Sequence, residues 1–418
     1  MKNYAISLIC DDCSNEYPLS EPINLCSSCG GLLETNYDLI TMRRDGSKIT
    51  DKHGARRENS IWRWRSLLPP VSEKNIISLG EGGTPLTHSV VIGPMLGMAS
   101  LYFKNDTLMP TGSFKDRGFS LAISFAKEIG IKCGFTYSSG NAGASFSAYS
   151  KRSGLNSLVL VEYQASDVKK SMLALYGIPT VVLNFENFSQ ITEMLDYGVR
   201  ELGLYQFVNF INPVRHEAMK TYAYEIVEQL SSVPDYMLHP IGTGGGLWGA
   251  WKGFNELCTL GLTDKLPKMI GVQPEAVCWM KQAIDSGAQS GKAFGDSTKT
   301  IAQSISGNAP LKDGKRLLSC IRESGGSAES VSDSEILEAM NLLAHEGIGA
   351  EPSSAASVAA LIKKVKNGSI NTDETVVCII TGTVLKQPSI VLKAAGIPQE
   401  SINADGKELG NLVKKLFF

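Results

Sequence analysis

The 418-residue sequence has almost no net charge, with 40 basic against 42 acidic residues, and it lacks a basic tract long enough to track nucleic acid. No stretch approaches the roughly 20 apolar residues needed to cross a bilayer. The opening MKNYAISLI also lacks the basic-then-apolar pattern of a secretory signal. Nucleic acid and membrane are therefore not expected partners, and the cytosol is the expected compartment. Internal repeats and low-complexity tracts are missing as well. At this length a single core has usually stopped growing, so two lobes and a small appendage are expected.

Cysteine is present, and its spacing is informative. Cys10 and Cys13 form one C-x2-C pair, Cys26 and Cys29 a second, with twelve residues between them. Two tight knuckles of this kind can place four thiolates at the corners of a tetrahedron. A structural zinc ion held by Cys10, Cys13, Cys26 and Cys29 would fold a segment of about 40 residues that is too small for its own core. The plainer reading is four reduced thiols in an irregular cap. The other five cysteines are scattered, mostly in apolar stretches such as VVCII, where cysteine packs as a small hydrophobe.

The polar run TMRRDGSKITDKHGARRENS (41 to 60) reads as a connector, and from about Ser78 strands and helices alternate. The strand readings are FTYS (135 to 138), SLVLV (157 to 161), TVVLN (180 to 184), YMLHPI (236 to 241), MIGVQ (269 to 273) and VVCIITG (376 to 382). The helix readings include RGFSLAISFAKEI, AGASFSAYSKRS, EAMKTYAYEIVEQL, DSEILEAMNLLAHEG and SAASVAALIKKV. Such alternation predicts an α/β fold of parallel sheets covered by helices, with ligands outside the carboxyl ends of the strands. The segment IWRWRSLLPP (61 to 70) would pack on the protein's own core or face a second copy.

Three turns fall where such a site forms: PTGSFKDRG (110 to 118), SSGNAGAS (138 to 145) and GTGGGLWG (242 to 249). In the first, small residues around Lys115 let backbone approach a flat cofactor to which a lysine could bond covalently. The third leads from a strand into a helix, so its amides can converge on a phosphate monoester. It has neither the GK[ST] of a nucleotide P-loop nor the GxGxxG dinucleotide pattern. Asn141 stands at a helix entrance, where its plain role is an N-cap and its functional role a donor to a phenolate oxygen. Thr381 ends the apolar strand VVCII, and its hydroxyl could face the pocket. A lysine, a phosphate cradle, an asparagine and a strand-end hydroxyl together describe a pyridoxal phosphate site.

Together with SLGEGGTPL, NPVRHEAMKT, ESGG, EGIGAEPSSAASVAAL and TGTVLKQP, these turns resemble the threonine synthase family of fold type II pyridoxal phosphate enzymes, in family order from about Cys10 to Pro388. The resemblance implies a tryptophan synthase β-like fold. In it, two open parallel-sheet lobes carry helices on both faces, and a catalytic domain over 41–418 has its smaller lobe, about 105–210, inserted in the larger. It also implies that Lys115 carries the cofactor as an imine and then moves substrate protons. Asn141 would bond the ring oxygen, Gly242, Thr243, Gly244, Gly245 and Gly246 would hold the phosphate, and Thr381 would face the ring nitrogen. Ser139, Asn209 and Arg215 would bind the amino-acid substrate, and the protein would be a homodimer.

The implied reaction is a lyase-type elimination of a β or γ leaving group followed by nucleophile addition, giving threonine if the substrate is O-phosphohomoserine. Rival readings are β-replacement on an O-activated serine, as in cysteate and cysteine synthases, serine or threonine ammonia-lyase, and an amino-acid sensor that keeps the fold. Departures from the family pattern bear on the substrate. Ala142 stands where a hydroxyl residue normally meets the substrate phosphate, and Phe210 replaces a serine with the same task. Asn105, Asp106 and Thr107 occupy the place of a common glutamate, and Thr383, Val384 and Gln387 alter the tail motif.

Overall fold

A computed structural model of the chain describes residues 2–46, 49, 59–162, 167–186, 188–208, 210–395 and 401–417. The cysteine-paired segment is a three-stranded antiparallel sheet of β1 (Ala5–Cys10), β2 (Glu16–Tyr17) and β3 (Leu33–Tyr37), in the order β2-β1-β3. Its own core is only Leu8, Leu33 and two cysteines, Cys10 and Cys26. So small a cluster cannot offset the entropy of ordering the segment, which instead leans on the rest of the chain. Tyr37 donates its hydroxyl to Glu217 at 3.0 Å, Lys252 pairs with Glu34 at 2.7 Å, and Asn24 Nδ2 donates to the Gln206 carbonyl at 2.9 Å. The connector begins as helix Leu39–Arg44, and most of it (47, 48 and 50–58) lies outside the described residues.

The larger sheet opens with β4 (Leu86–His88) and β5 (Leu101–Asn105), and the smaller holds β6 (Cys133–Tyr137), β7 (Asn156–Glu162), β8 (Thr180–Leu183) and β9 (Tyr205–Gln206). The chain then returns to the larger sheet with β10 (Tyr236–Pro240), β11 (Lys268–Pro274), β12 (Ser327–Val331) and β13 (Val376–Ile380). The strand orders are β12-β11-β10-β13-β5-β4 and β8-β7-β6-β9. All pairs are parallel except β4 on β5. The expected α/β architecture is thus present, with one antiparallel edge strand added. β10 and β13 are buried at every position, as strands covered by helices on both faces must be.

Two strands carry charge that hides them. In β5 the fully buried Lys104 pairs with Glu225 at 2.7 Å, and β12 includes the buried Glu329. Beneath the smaller sheet, Trp62 donates its indole N–H to Ser120 at 2.9 Å, and Ile61, Trp62, Trp64, Leu67 and Leu68 are all buried. The tryptophan-rich arm therefore packs on its own core. Residues 387–418 form a separate unit containing helices Pro388–Ala395 and Gly406–Phe417.

Candidate active site

The lysine turn is laid against the end of β13. Gly112 takes a left-handed φ of 73°, Phe114 N–H donates to the Thr381 carbonyl at 2.8 Å, and Thr383 N–H donates to the Gly112 carbonyl at 2.9 Å. Helix Lys115–Glu128 starts at the lysine itself. Its next two residues turn inward. Asp116 accepts from Thr111 N–H at 2.7 Å, Thr111 Oγ1 at 2.6 Å and Ser145 Oγ at 2.5 Å. Burial nevertheless lifts its carboxyl to about 6 against those bonds.

Arg117 is fully buried between two carboxylates. It donates from Nε and Nη2 to Asp106 at 2.9 and 3.0 Å, and from Nη1 and Nη2 to Glu225 at 2.5 and 2.9 Å. With Asp116 and Arg117 fixed, Lys115 is left facing the cavity. Its Nζ lies 4.1 Å from the Phe114 ring centroid and has no hydrogen-bond or ion-pair partner among the described residues. Burial, and then the positive charge of Arg215, lower its pKa to about 7, with Glu351 pulling the other way.

Around that amine the other two turns converge. Asn141 is the first residue of helix Asn141–Ser153, whose N-cap is Gly140, so the capping role read from the sequence is one residue off. The Asn141 amide instead donates to Glu351 Oε1 at 2.8 Å and Ser304 Oγ at 3.3 Å. Thr381 is buried and its Oγ1 lies 2.9 Å from Ser354 Oγ, which also receives Gly382 N–H at 2.7 Å.

Gly242, Thr243, Gly244, Gly245 and Gly246 line the same recess as Phe114, Lys115, Asn141, Glu351 and Thr381. Gly244 adopts φ 92° as the N-cap of helix Gly245–Thr259, and a Cβ there would collide with Leu317. At Gly246 it would collide with His239. That histidine donates Nδ1–H to the Pro240 carbonyl at 2.7 Å. It is held neutral, its pKa taken down to about 4 by burial, with the charge of Lys115 acting against the Pro240 bond.

The recess opens into a cavity of about 350 Å³ whose walls include Lys115, Ser139, Asn141, Ala142 and Arg215. Arg215 is buried, donates Nη1–H to the Phe207 carbonyl at 2.7 Å, and lies 3.9 Å from the Phe119 ring centroid. Its Nε and Nη2 have no hydrogen-bond partner among the described residues. Phe210 turns away from this space. Its backbone has φ 66°, and its ring packs among His216 at 5.8 Å, Trp248 at 6.3 Å and the Arg316 guanidinium. Asn209 lies outside the described residues.

Glu351, Ser354, Ser304 and His239 escape the sequence reading. Glu351 and Ser354 flank the proline that opens helix Pro352–Lys366. A helix start was legible there, but not where the carboxylate points. His239 sits inside an apolar strand, where its side of the sheet cannot be read without the register.

Residues 77–382 match the family model described as pyridoxal-phosphate dependent enzyme. The chain is 38% identical to a threonine synthase of Methanocaldococcus jannaschii over 97% of this chain and 99% of that one. It is 39% identical to a threonine synthase of Methanosarcina acetivorans over 94% and 95% of the two chains. Among solved structures, a maize serine racemase matches in fold with a TM-score of 0.63 at 21% identity, covering 74% of this chain and 91% of that one.

Proposed function

We propose a reaction for a chain that belongs to the pyridoxal-phosphate dependent enzymes and, within them, to the threonine synthase family. It is a pyridoxal phosphate-dependent lyase of threonine synthase type acting on an amino acid. On our reading the substrate is O-phosphohomoserine and the product threonine. Arg215 carries this reading: a buried guanidinium beside the cavity that Lys115 lines, with two unspent nitrogens that a small turn of the side chain would bring to two oxygens of a departing phosphate. Ala142 supplies no hydroxyl there and Phe210 points into the core, so anion recognition falls mainly to Arg215.

The residues around Lys115 fit the cofactor. A glycine loop closed to a Cβ at Gly244 and Gly246, an uncommitted amine and a hydroxyl at a strand end each match one feature of it. When bound, pyridoxal phosphate supplies an aldehyde for an amine and a ring that withdraws electrons from the substrate carbons. The amides of residues 242–246 would hold its phosphate, and Asn141, steadied by Glu351, would bond the ring oxygen. Thr381, bonded to Ser354, would meet the ring nitrogen with a hydroxyl, which does not favour a protonated ring as a carboxylate would. Lys115 Nζ would take the proton from Cα and then move one at Cβ, helped by a pKa near neutrality. Ser139 lines the substrate side, and Asn209 is assigned there from its motif alone.

Phosphate release from O-phosphohomoserine with equimolar threonine is the expected result. Turnover of O-phosphoserine or serine in its place would reject the assignment. In the Arg215→Met variant, two charge-assisted bonds worth roughly 1.5–3 kcal/mol each are lost, so kcat/KM should fall at least about 100-fold. The cofactor absorbance should stay intact, and an unchanged kcat/KM would remove Arg215 from the phosphate site.

For the N-terminal sheet we propose a zinc ion on Cys10, Cys13, Cys26 and Cys29. The four Sγ atoms lie within 4.8 Å of one another, with neighbours at 3.4 and 3.5 Å. A tetrahedron with Zn–S of about 2.3 Å spaces sulfurs at about 3.8 Å, close to this arrangement. Protein purified without chelator should carry one zinc per chain, and Cys10→Ser/Cys26→Ser should carry almost none. Metal analysis that finds wild type free of zinc rejects the site and leaves the catalytic reading standing. Family similarity also supports a cytosolic homodimer, which light scattering of the purified protein would check.

A further inference from the structure

A second cavity, of about 320 Å³, lies between the cysteine sheet and helix Lys315–Glu323, with Asp11, Asp12, Lys312, Lys315, Arg316 and Ser319 among its walls. Arg316 is its buried member, with a side chain only 4% exposed. Its Nε donates to Asp11, and its guanidinium carbon lies 4.3 Å from the Trp248 ring centroid. Nη1 and Nη2 are closed off from solvent and have no hydrogen-bond partner among the described residues. Burying four N–H groups unmatched is costly, and a planar fork of this kind matches two oxygens of one oxyanion.

We propose that this cavity binds a small oxyanion, a carboxylate or a phosphate, toward which the Arg316 guanidinium turns its two terminal nitrogens. The acidic groups nearby do not meet that need. Asp11 is spent on Nε, while Asp12 and Asp313 are exposed on the rim and matched in number by the exposed Lys312 and Lys315. A volume of this size suits a small metabolite.

The position ties the ligand to the active site through two contacts. Leu317, the next residue, is the side chain that a Cβ at Gly244 would strike. Trp248, on which Arg316 stacks, stands in the first turn of the helix that the glycine loop opens. The cavity thus lies one side chain away from the cradle, and its ligand goes beyond the reaction proposed above.

Equilibrium dialysis of the holoenzyme against labelled inorganic phosphate tests this. Wild type should hold one phosphate per chain more than Arg316→Lys, which keeps the charge and loses the fork. Displacement of that extra phosphate by acetate would mark a carboxylate site, and its retention a phosphate site. Equal stoichiometry in the two proteins overturns the proposal. Because Arg316 also holds Asp11, crystals of the unaltered holoenzyme soaked in sodium selenate give an answer that does not depend on the variant folding. An anomalous peak within hydrogen-bond reach of both Nη1 and Nη2 is expected, and its absence overturns the site.

Discussion

Lys115→Ala should lower kcat by at least about 1,000-fold while leaving the fold intact, because one side chain is both the attachment point of the cofactor and the group that moves the substrate protons. The side chain is not holding the structure together. Its Nζ makes no hydrogen bond or ion pair among the described residues, and the turn around it is secured by backbone bonds to Thr381 and Thr383, just past β13, and by Asp116 and Arg117. Borohydride should fix the cofactor on Lys115 in wild type and leave the variant unlabelled. A variant that keeps more than a few per cent of wild-type turnover would sink the assignment.

The same lysine sets a pH dependence. Burial and Arg215 lower its pKa to about 7, so the amine is mostly protonated at pH 6 and mostly neutral at pH 8. Only the neutral amine attacks an aldehyde. Cofactor uptake by protein stripped of it should therefore accelerate through pH 7 and level off above it. Stopped-flow absorbance would show this, and a rate that falls from pH 6 to pH 8 contradicts the lowered pKa. With Arg215→Met the first charge opposing protonation is gone, so the midpoint should move upward.

Local chemistry made part of this site legible. Small residues around a lysine, glycines between a strand and a helix, and a threonine closing a buried strand each carry their own reason, and all three lie where the sequence puts them. What stayed hidden depends on long-range register. Glu351 reaches Asn141 across 210 positions of chain, and nothing near either residue announces the other. LYFKN did not read as a strand because Lys104 interrupts its apolar run, and that lysine is tolerable inside because Glu225 stands 2.7 Å away and the Thr84 carbonyl and Gln229 Oε1 accept from it at 2.6 and 2.8 Å. The run EAMKTYAYEIVEQL reads as one helix, yet Glu217–Lys220 is a 3-10 turn leading into helix Thr221–Leu230. There Glu217 and Lys220 are committed to an ion-pair cluster that receives Tyr37 from the cysteine sheet.

Stability and function separate most clearly at two buried arginines. Arg117→Leu should destabilise the protein by about 3–5 kcal/mol, since it strands Asp106 and Glu225 with only Lys104 to compensate them. Neighbouring bonds cannot absorb the loss. Asp106 also accepts from Thr84 at 2.6 Å and Tyr222 at 2.7 Å, but neutral donors leave its charge uncancelled. Arg215 is the opposite case. Burial alone lowers its pKa to about 9, and among the described residues its partners are one carbonyl and one ring face, with no carboxylate to answer it. Relieving that desolvation with methionine should leave stability unchanged or improved while activity falls, the trade expected where a strained charge is kept for a substrate. Urea unfolding followed by tryptophan fluorescence distinguishes the two. A midpoint for Arg117→Leu equal to wild type would mean the Asp106–Arg117–Glu225 cluster contributes nothing net, and that the lysine turn is held by Asp116 and by its backbone bonds to Thr381 and Thr383.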